Sequence, residues 1–169
     1  MRVEPVLIAA MIGGVLALSG IVVGQVFGLF SGHIERRHQR DVRQRERLER
    51  LADAVGETLP WFQALGRCRS LEEINANPPP PEARRAAMLA ALYFPALLEL
   101  AAAYTNSLVA YHHLAINSFD RGVPATVGAQ IVVFLRSHPE AQRAHDDPLR
   151  LRLELDVAIT REAGRYSHT

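Results

Sequence analysis

VLIAAMIGGVLALSGIVVGQVFGLF, residues 6–30, is an apolar run of 25 residues that carries no charge. A helix of this length rises by about 37 Å at about 1.5 Å per residue, and the hydrocarbon core of a bilayer is about 30 Å thick. A removable signal peptide has a shorter apolar region, of about 7 to 15 residues. The sequence therefore predicts one transmembrane helix, with residues 1–32 as the membrane anchor.

The charges that flank this run predict its direction in the membrane. Only Arg2 precedes it, beside Glu4, whereas seven arginines follow it within about 20 residues, and basic residues stay on the cytoplasmic side. We expect the N-terminus outside and the C-terminal part in the cytoplasm. The first four of these arginines are expected to face the lipid headgroups and to fix the topology: Arg36, Arg37, Arg40 and Arg43. All 19 basic residues are Arg, a usage typical of high-GC bacterial genes, so the membrane is expected to be a bacterial inner membrane.

Small residues recur every three or four positions along the predicted span. They share one helix face, which we call the small-residue face: Ala9, Gly13, Ala17, Gly20, Gly24 and Gly28. Such a face lets a second helix approach closely. It predicts a homo-oligomer, or docking on the span of another membrane protein, although glycine is also common in membrane helices. Gln25 lies beside this face. Its side-chain amide either forms a hydrogen bond to another chain of an oligomer or extends to the lipid headgroups without taking part in assembly.

The next segment, 33–58, is predicted to be a basic stalk helix that continues from the span. It begins HIERRHQRDVRQRERLERL, residues 33–51, with no Pro or Gly. Apolar residues then return with helical spacing: Leu48, Leu51, Ala52, Val55, Leu59 and Phe62. Before Leu48 only Ile34 and Val42 could form a seam, which is too few for a sustained heptad repeat. A coiled coil therefore stays an alternative rather than the expectation.

Residues 59–169 are predicted to form a small helical bundle, so the fold class is all-α. Pro60 begins a short helix, and Ser70 with Glu73 matches a capping box. The stretch 75–81 contains four consecutive prolines and is predicted to be a loop. A long helical pattern follows over 82–120, with a kink or break at Pro95 and its end at Gly122.

Two segments of this module admit two interpretations. Residues 86–110 contain one charge, Glu99, and a second membrane span would place that charge near mid-bilayer. A core helix is favoured because its apolar and polar residues separate onto two faces: Leu97, Ala101, Tyr104, Leu108, Tyr111 and Ala115 against Glu99, Asn106, His113, Asn117 and Asp120. A further helix is expected over 125–137. Residues 149–160 alternate as a strand would, but an unpaired strand is unstable, so a helix is predicted there.

The sequence offers few groups for catalysis or metal binding. Cys68 is the one cysteine, so an intrachain disulfide is impossible. The positive charges of the neighbouring Arg67 and Arg69 could lower the pKa of its thiol. His112 and His113 are adjacent, and their side chains would point about 100° apart on a helix. They therefore cannot coordinate the same metal ion. A polar loop is expected to hold the remaining candidates for a weak cation site: His138, His145, Asp146 and Asp147. We expect no enzyme activity, no metal and no cofactor, and the net charge of +1 argues against a nucleic-acid partner.

The chain resembles small bacterial single-pass proteins, mostly uncharacterised, in which a membrane helix runs into an Arg-rich helix and a compact helical module. The likeness covers residues 6 to about 52 and, more loosely, ALYFPALLELAAAYTNSLVAYHH, residues 91–113. It implies architecture and location and transfers no site residue. The function we expect is that of a membrane-anchored scaffold or accessory subunit, with the lipid bilayer and another membrane helix as partners. The alternative is a membrane-perturbing effector or small oligomeric channel, with Gln25 facing the lumen; a membrane-bound hydrolase that uses His113 is a more distant possibility.

Overall fold

The computed structural model describes residues 38–166. The predicted span, its small-residue face with Gln25, and Arg36 and Arg37 lie outside the described residues. The chain divides into two compact units, Met1–Arg43 with Thr169, and Gln44–His168. In the first unit residues 38–43 are described; they are helical, and Arg40 and Arg43 are exposed. Among the described residues, no helix combines the length and the apolar character that a membrane crossing needs.

The described residues contain seven α-helices, one 3₁₀ turn and no strand, which confirms the all-α prediction for this part of the chain. Helix α1 covers 38–56. The helices that follow, with the 3₁₀ turn Pro139–Ala141 before the last, are α2 (Leu59–Arg67), α3 (Leu71–Ala76), α4 (Pro81–Tyr93), α5 (Pro95–Ser118), α6 (Val127–Ser137) and α7 (Gln142–Gly164).

Helix α5 is the centre of the bundle and packs against α3, α4, α6 and α7. Its buried side chains include most of the predicted apolar face: Leu97, Ala101, Tyr104, Leu108 and Ala115. Tyr111 is half-buried, and the predicted polar face, from Glu99 to Asp120, is exposed. Residues 86–110 are thus divided between α4 and a core helix, which is the arrangement that the separation of polar and apolar residues favours.

One hydrogen-bond chain connects α5 to the end of α1. The hydroxyl oxygens of Thr58 and Tyr104 lie 2.6 Å apart, and the Thr58 hydroxyl donates to the Val55 carbonyl, also at 2.6 Å. Because the single Thr58 proton is used in that bond, the Tyr104 hydroxyl is the donor to Thr58. Both side chains are fully buried, and this burial raises the pKa of Tyr104.

The connection between α5 and α6 is held by a buried glutamine. Gln130 accepts a hydrogen bond from the Asp120 amide at 2.6 Å. Its amide nitrogen lies 3.1–3.3 Å from three loop carbonyl oxygens, those of Asp120, Val123 and Ala125. One side chain therefore adds hydrogen bonds to a loop in which the Val123 and Ala125 amides already donate to the Asp120 and Val123 carbonyls.

Local sequence signals locate most helix boundaries. Pro95 occupies the first turn of α5 after a break at Phe94, because proline lacks the amide proton that a helix interior needs. The Ser70 hydroxyl accepts from the Glu73 amide at 3.1 Å, as the capping box predicts; the Glu73 carboxylate accepts from the Arg69 amide. The proline-rich loop is shorter than predicted, since α3 ends at Ala76 and α4 begins at Pro81.

Two sequence expectations need correction, and a third is confirmed within a longer helix. Helix α5 ends at Ser118, four residues before Gly122. Leu59 is exposed, because α2 begins there and presents Trp61 and Leu65 to the core instead. The segment 149–160 is helical as predicted, but it belongs to a longer helix that contains Pro148 and begins at Gln142.

We predict that Thr58→Val destabilises the protein more than Tyr104→Phe does. Valine leaves the buried Tyr104 hydroxyl without an acceptor, which costs about 1–3 kcal/mol. Phenylalanine leaves Thr58 bonded to Val55, and the loss should be about 0.5–1.5 kcal/mol. Chemical unfolding of the full chain in detergent measures both.

The control is Thr160→Val, because the exposed Thr160 hydroxyl donates to its own helix, at the Asp156 carbonyl. Its effect should stay within about 0.5 kcal/mol, as for other surface positions. Equal losses for Thr58→Val and Thr160→Val would contradict the role given to the Thr58–Tyr104 bond.

Candidate functional site

An aromatic and histidine cluster brings together several of the candidate residues. Helix α2 supplies Trp61 and Phe62, α5 supplies Tyr111 and His112, and α7 supplies His145. The ring centroids of Trp61 and Phe62 are 5.0 Å apart, and those of Phe62 and Tyr111 are 5.3 Å apart. The Tyr111 and His145 rings are separated by 5.9 Å. Edge-to-face contacts of this kind stabilise a packed junction between helices.

Two polar groups of this cluster, on Trp61 and His112, form hydrogen bonds to α3 and to the residue that follows it. The Trp61 indole donates to the Asn77 carbonyl at 3.1 Å. The His112 Nε2 lies 3.1 Å from the Ile74 carbonyl oxygen, and because a carbonyl only accepts, this nitrogen carries the proton. Burial raises the pKa of Tyr111. These contacts hold α3 and the loop that follows it against α2 and α5.

The predicted polar loop around His145 is wrong. His145, Asp146 and Asp147 lie in the first two turns of α7, and only His138 lies between helices. His145 Nδ1 is 2.8 Å from an Asp146 oxygen, and this contact, with a second from Gln142, lowers the pKa of Asp146. Within α7 these side chains contact neighbours on the same helix, as in the ion pair between Asp147 and Arg150.

The described residues contain no group of three or more His, Cys, Asp or Glu side chains that could hold a metal ion. His113 is exposed on α5, where its ring lies 6.3 Å from that of His112. His138 stacks on Phe134 with the ring centroids 4.0 Å apart. His112 and His145 thus belong to the aromatic cluster, His113 lies beside it, and His138 stacks on α6.

Cys68 does not have the activated thiol that its two arginine neighbours suggest. Its side chain is buried, and desolvation, followed by the nearby Glu73 carboxylate, raises the pKa of the thiol. Arg67 and Arg69 are exposed, so water screens their charges from the sulfur. The Cys68 carbonyl accepts a hydrogen bond from the Val127 amide at 2.9 Å, which joins the end of α2 to the start of α6.

An open cleft of about 370 Å³ lies between α1 and α7. Its apolar wall is formed by Leu48, Ala52, Ile159 and Ala163. An ion pair between Arg45 and Glu49, with nitrogen and oxygen 3.1 Å apart, borders it. The cleft holds no cluster of acid, base and nucleophile, and its chemistry suits an apolar group rather than a reaction.

Large apolar side chains remain exposed at several places on the bundle, including Val132 and Val133 on α6, and two groups have three or more members. The first, which we call the α4–α5 corner, contains Met88, Leu92, Tyr93 and Leu98. The second, which we call the α7 stripe, contains Leu149, Leu153 and Val157. Sequence reasoning assigned neither group to a surface. The signal for the corner is nevertheless present, because residues 86–98 carry no charge although a helix needs only one apolar face to pack.

Comparisons with protein-family models, with curated proteins and with solved structures each find no match to this chain.

We predict that the Cys68 thiol is alkylated slowly in the folded protein. A raised pKa lowers the fraction of thiolate, which is the reactive form, and burial limits access. At mildly alkaline pH the rate with iodoacetamide should be at least several-fold below that of an exposed cysteine. The control is the variant that carries Cys68→Ala and Met88→Cys. Equal rates for the two thiols would show that Cys68 is activated or accessible.

Proposed function

We propose that this protein is a membrane-anchored scaffold or accessory subunit that acts through helix–helix contacts and has no enzymatic activity. The observation that carries the proposal is the uncharged run over 6–30 with its small-residue face. A helix of this composition associates with another through close backbone approach. The proposed location is a bacterial inner membrane, with the N-terminus outside and the bundle in the cytoplasm.

The described bundle supports this proposal through the contacts of its reactive side chains. Cys68, His112 and His145 take part in packing or in hydrogen bonds to neighbouring residues, as detailed above. Gln130 is used within its own loop. What the bundle offers to a partner is apolar surface and an open cleft, and exposed apolar surface is typical of interaction sites.

The small-residue face predicts an oligomer that depends on Gly24. We expect the detergent-solubilised full chain to form a defined oligomer by crosslinking and by size. Gly24→Leu should dissociate it, because the added side chain keeps two helices apart. The measurement is the crosslinked mass of the native chain and of each variant in the same detergent.

The matched control is Gly14→Leu, since Gly14 lies in the same run but off the small-residue face. It should leave the oligomer unchanged. A native chain that is monomeric, or an equal loss of oligomer in both variants, would contradict assembly through this face. Release of a trapped dye from vesicles by the native chain, abolished in Gly24→Leu, would favour the channel alternative over a scaffold.

A further inference from the structure

The three side chains of the α7 stripe point away from the bundle. Leu149, Leu153 and Val157 are between 51% and 66% exposed. Successive residues of a helix are rotated by about 100°, so residues four apart differ by about 40° and the three form a narrow stripe centred on Leu153. Other residues hold α7 to the bundle, among them the buried Leu155 and Ile159. The stripe is therefore free to contact a partner.

The charges along α7 are balanced in number. From 143 to 161 the helix carries four arginines and four acidic residues. Such a surface has no net charge with which to attract a strongly acidic or strongly basic partner. A partner whose charges alternate in the complementary order would fit it.

The four charges nearest to Leu153 are divided between the two edges of the stripe. By the rotation of the helix, Arg150 and Glu154 lie on one edge, and Arg152 and Asp156 lie on the other. Each edge therefore carries one arginine and one acid, four residues apart. The arginine of each edge already lies near its acid, with nitrogen and oxygen 2.7 Å apart on the first edge and 3.8 Å apart on the second.

The orientation of a second copy of α7 decides which of these edges meet. When two such helices pack face to face with two-fold symmetry, an antiparallel pair places each edge against the same edge of the copy. Arg150 then lies opposite Glu154 of the second copy, and Arg152 lies opposite Asp156 of the second copy. In each case the two residues are offset by two positions, about 3 Å along the axis.

A parallel pair gives the reverse result. It places each edge against the opposite edge of the copy, with the same offset of two positions. Arg150 then faces Arg152 of the second copy, and Glu154 faces Asp156 of the second copy. Like charges placed opposite each other disfavour an interface, so the charge pattern fits a second copy of this chain in the antiparallel orientation.

The charges further from Leu153 are compatible with the antiparallel pair. Arg161 comes level with Asp146 of the second copy, and the like charge of Arg143 lies about 3 Å further out along the axis than Arg161. On the side of the cleft toward α1, Arg45 and Glu49 form an ion pair with each other. They add no net charge to this side of the stripe.

From this pattern we propose that the α7 stripe is a contact between two copies of this chain, with antiparallel α7 helices and Leu153 on the two-fold axis. Leu149 of each copy then packs on Val157 of the other. Three side chains bury less area than a stable dimer in solution does, so the contact needs the oligomer that we propose for the predicted span, which raises the local concentration of the bundles. The inference rests on that proposed function and adds where the bundles of one oligomer touch.

The first test uses the full chain in detergent, with Cys68→Ala and one further substitution: Leu149→Cys, Leu153→Cys or Val157→Cys. Disulfide dimers are measured on non-reducing gels after mild oxidation. The cysteine at 153 should crosslink with its own copy several-fold more than either of the others. Two copies of residue 149 lie about 12 Å apart along antiparallel helices, and a disulfide does not bridge Cα atoms more than about 7 Å apart.

The same variants report the orientation of the pair. Co-expression of the Leu149→Cys and Val157→Cys chains should give several-fold more disulfide dimer than either chain alone, because these two positions meet in the antiparallel pair. Equal self-crosslinking at all three positions would mean a parallel or non-specific contact and would contradict the proposal.

The second test separates the contact between chains from the ion pairs within α7. In the Leu153→Cys background, Arg150→Glu alone and Glu154→Arg alone should each lower the yield of disulfide dimer several-fold, because like charges then meet across the pair. Co-expression of these two chains should restore the yield, although each helix keeps its own unfavourable pair. A yield that stays low in the co-expressed chains would overturn the charge pairing.

Light scattering of the same samples distinguishes failure of this contact from failure of the proposed function. If the Leu153→Cys chain is oligomeric by mass but forms no disulfide dimer, the α7 contact is wrong while the scaffold proposal stands. If the chain is monomeric and forms no disulfide dimer, both are wrong.

Discussion

The bundle depends on the burial of one face of α5 along almost its whole length. This helix packs against α3, α4, α6 and α7, and its buried face carries both small and large residues. Tyr104 is the largest of its fully buried side chains. A buried hydroxyl needs a partner, and the Tyr104 hydroxyl finds it in Thr58, in the turn that follows α1.

The same constraint explains what happens to the reactive residues. Helix ends and loops carry backbone groups that fall outside the regular helical hydrogen bonds. Several side chains that might otherwise serve chemistry bond to such groups. His112 binds the Ile74 carbonyl, Asn77 donates to that of Glu73, and Gln130 serves the loop after α5. The surfaces left for function are therefore the apolar and charged surfaces on the outside of the bundle.

Much of this fold follows from local sequence signals. Proline at positions 60, 81 and 95 sets the first turns of α2, α4 and α5, and Ser70 sets that of α3, because these residues act within one turn.

The start of α7 is different. Five of the six residues 142–147 are polar and they precede Pro148, a combination typical of a loop, yet Pro148 is buried within a helix. The position of Pro148 inside α7 depends on tertiary packing, which local sequence rules do not describe. The raised pKa of Cys68 has the same origin, since burial outweighs its two charged neighbours. The exposure of Met88 and Leu92 likewise follows from which face of α4 meets α5.

The central claim is that the bundle is carried on a membrane span, and extraction of bacterial membranes with alkaline carbonate tests it most directly. This treatment releases peripheral proteins and leaves proteins with a spanning helix in the bilayer, because the apolar run of a spanning helix cannot be transferred to water without a large loss of free energy. We predict that the full chain remains entirely in the membrane pellet after the wash. Recovery of the chain in the carbonate supernatant would contradict the account.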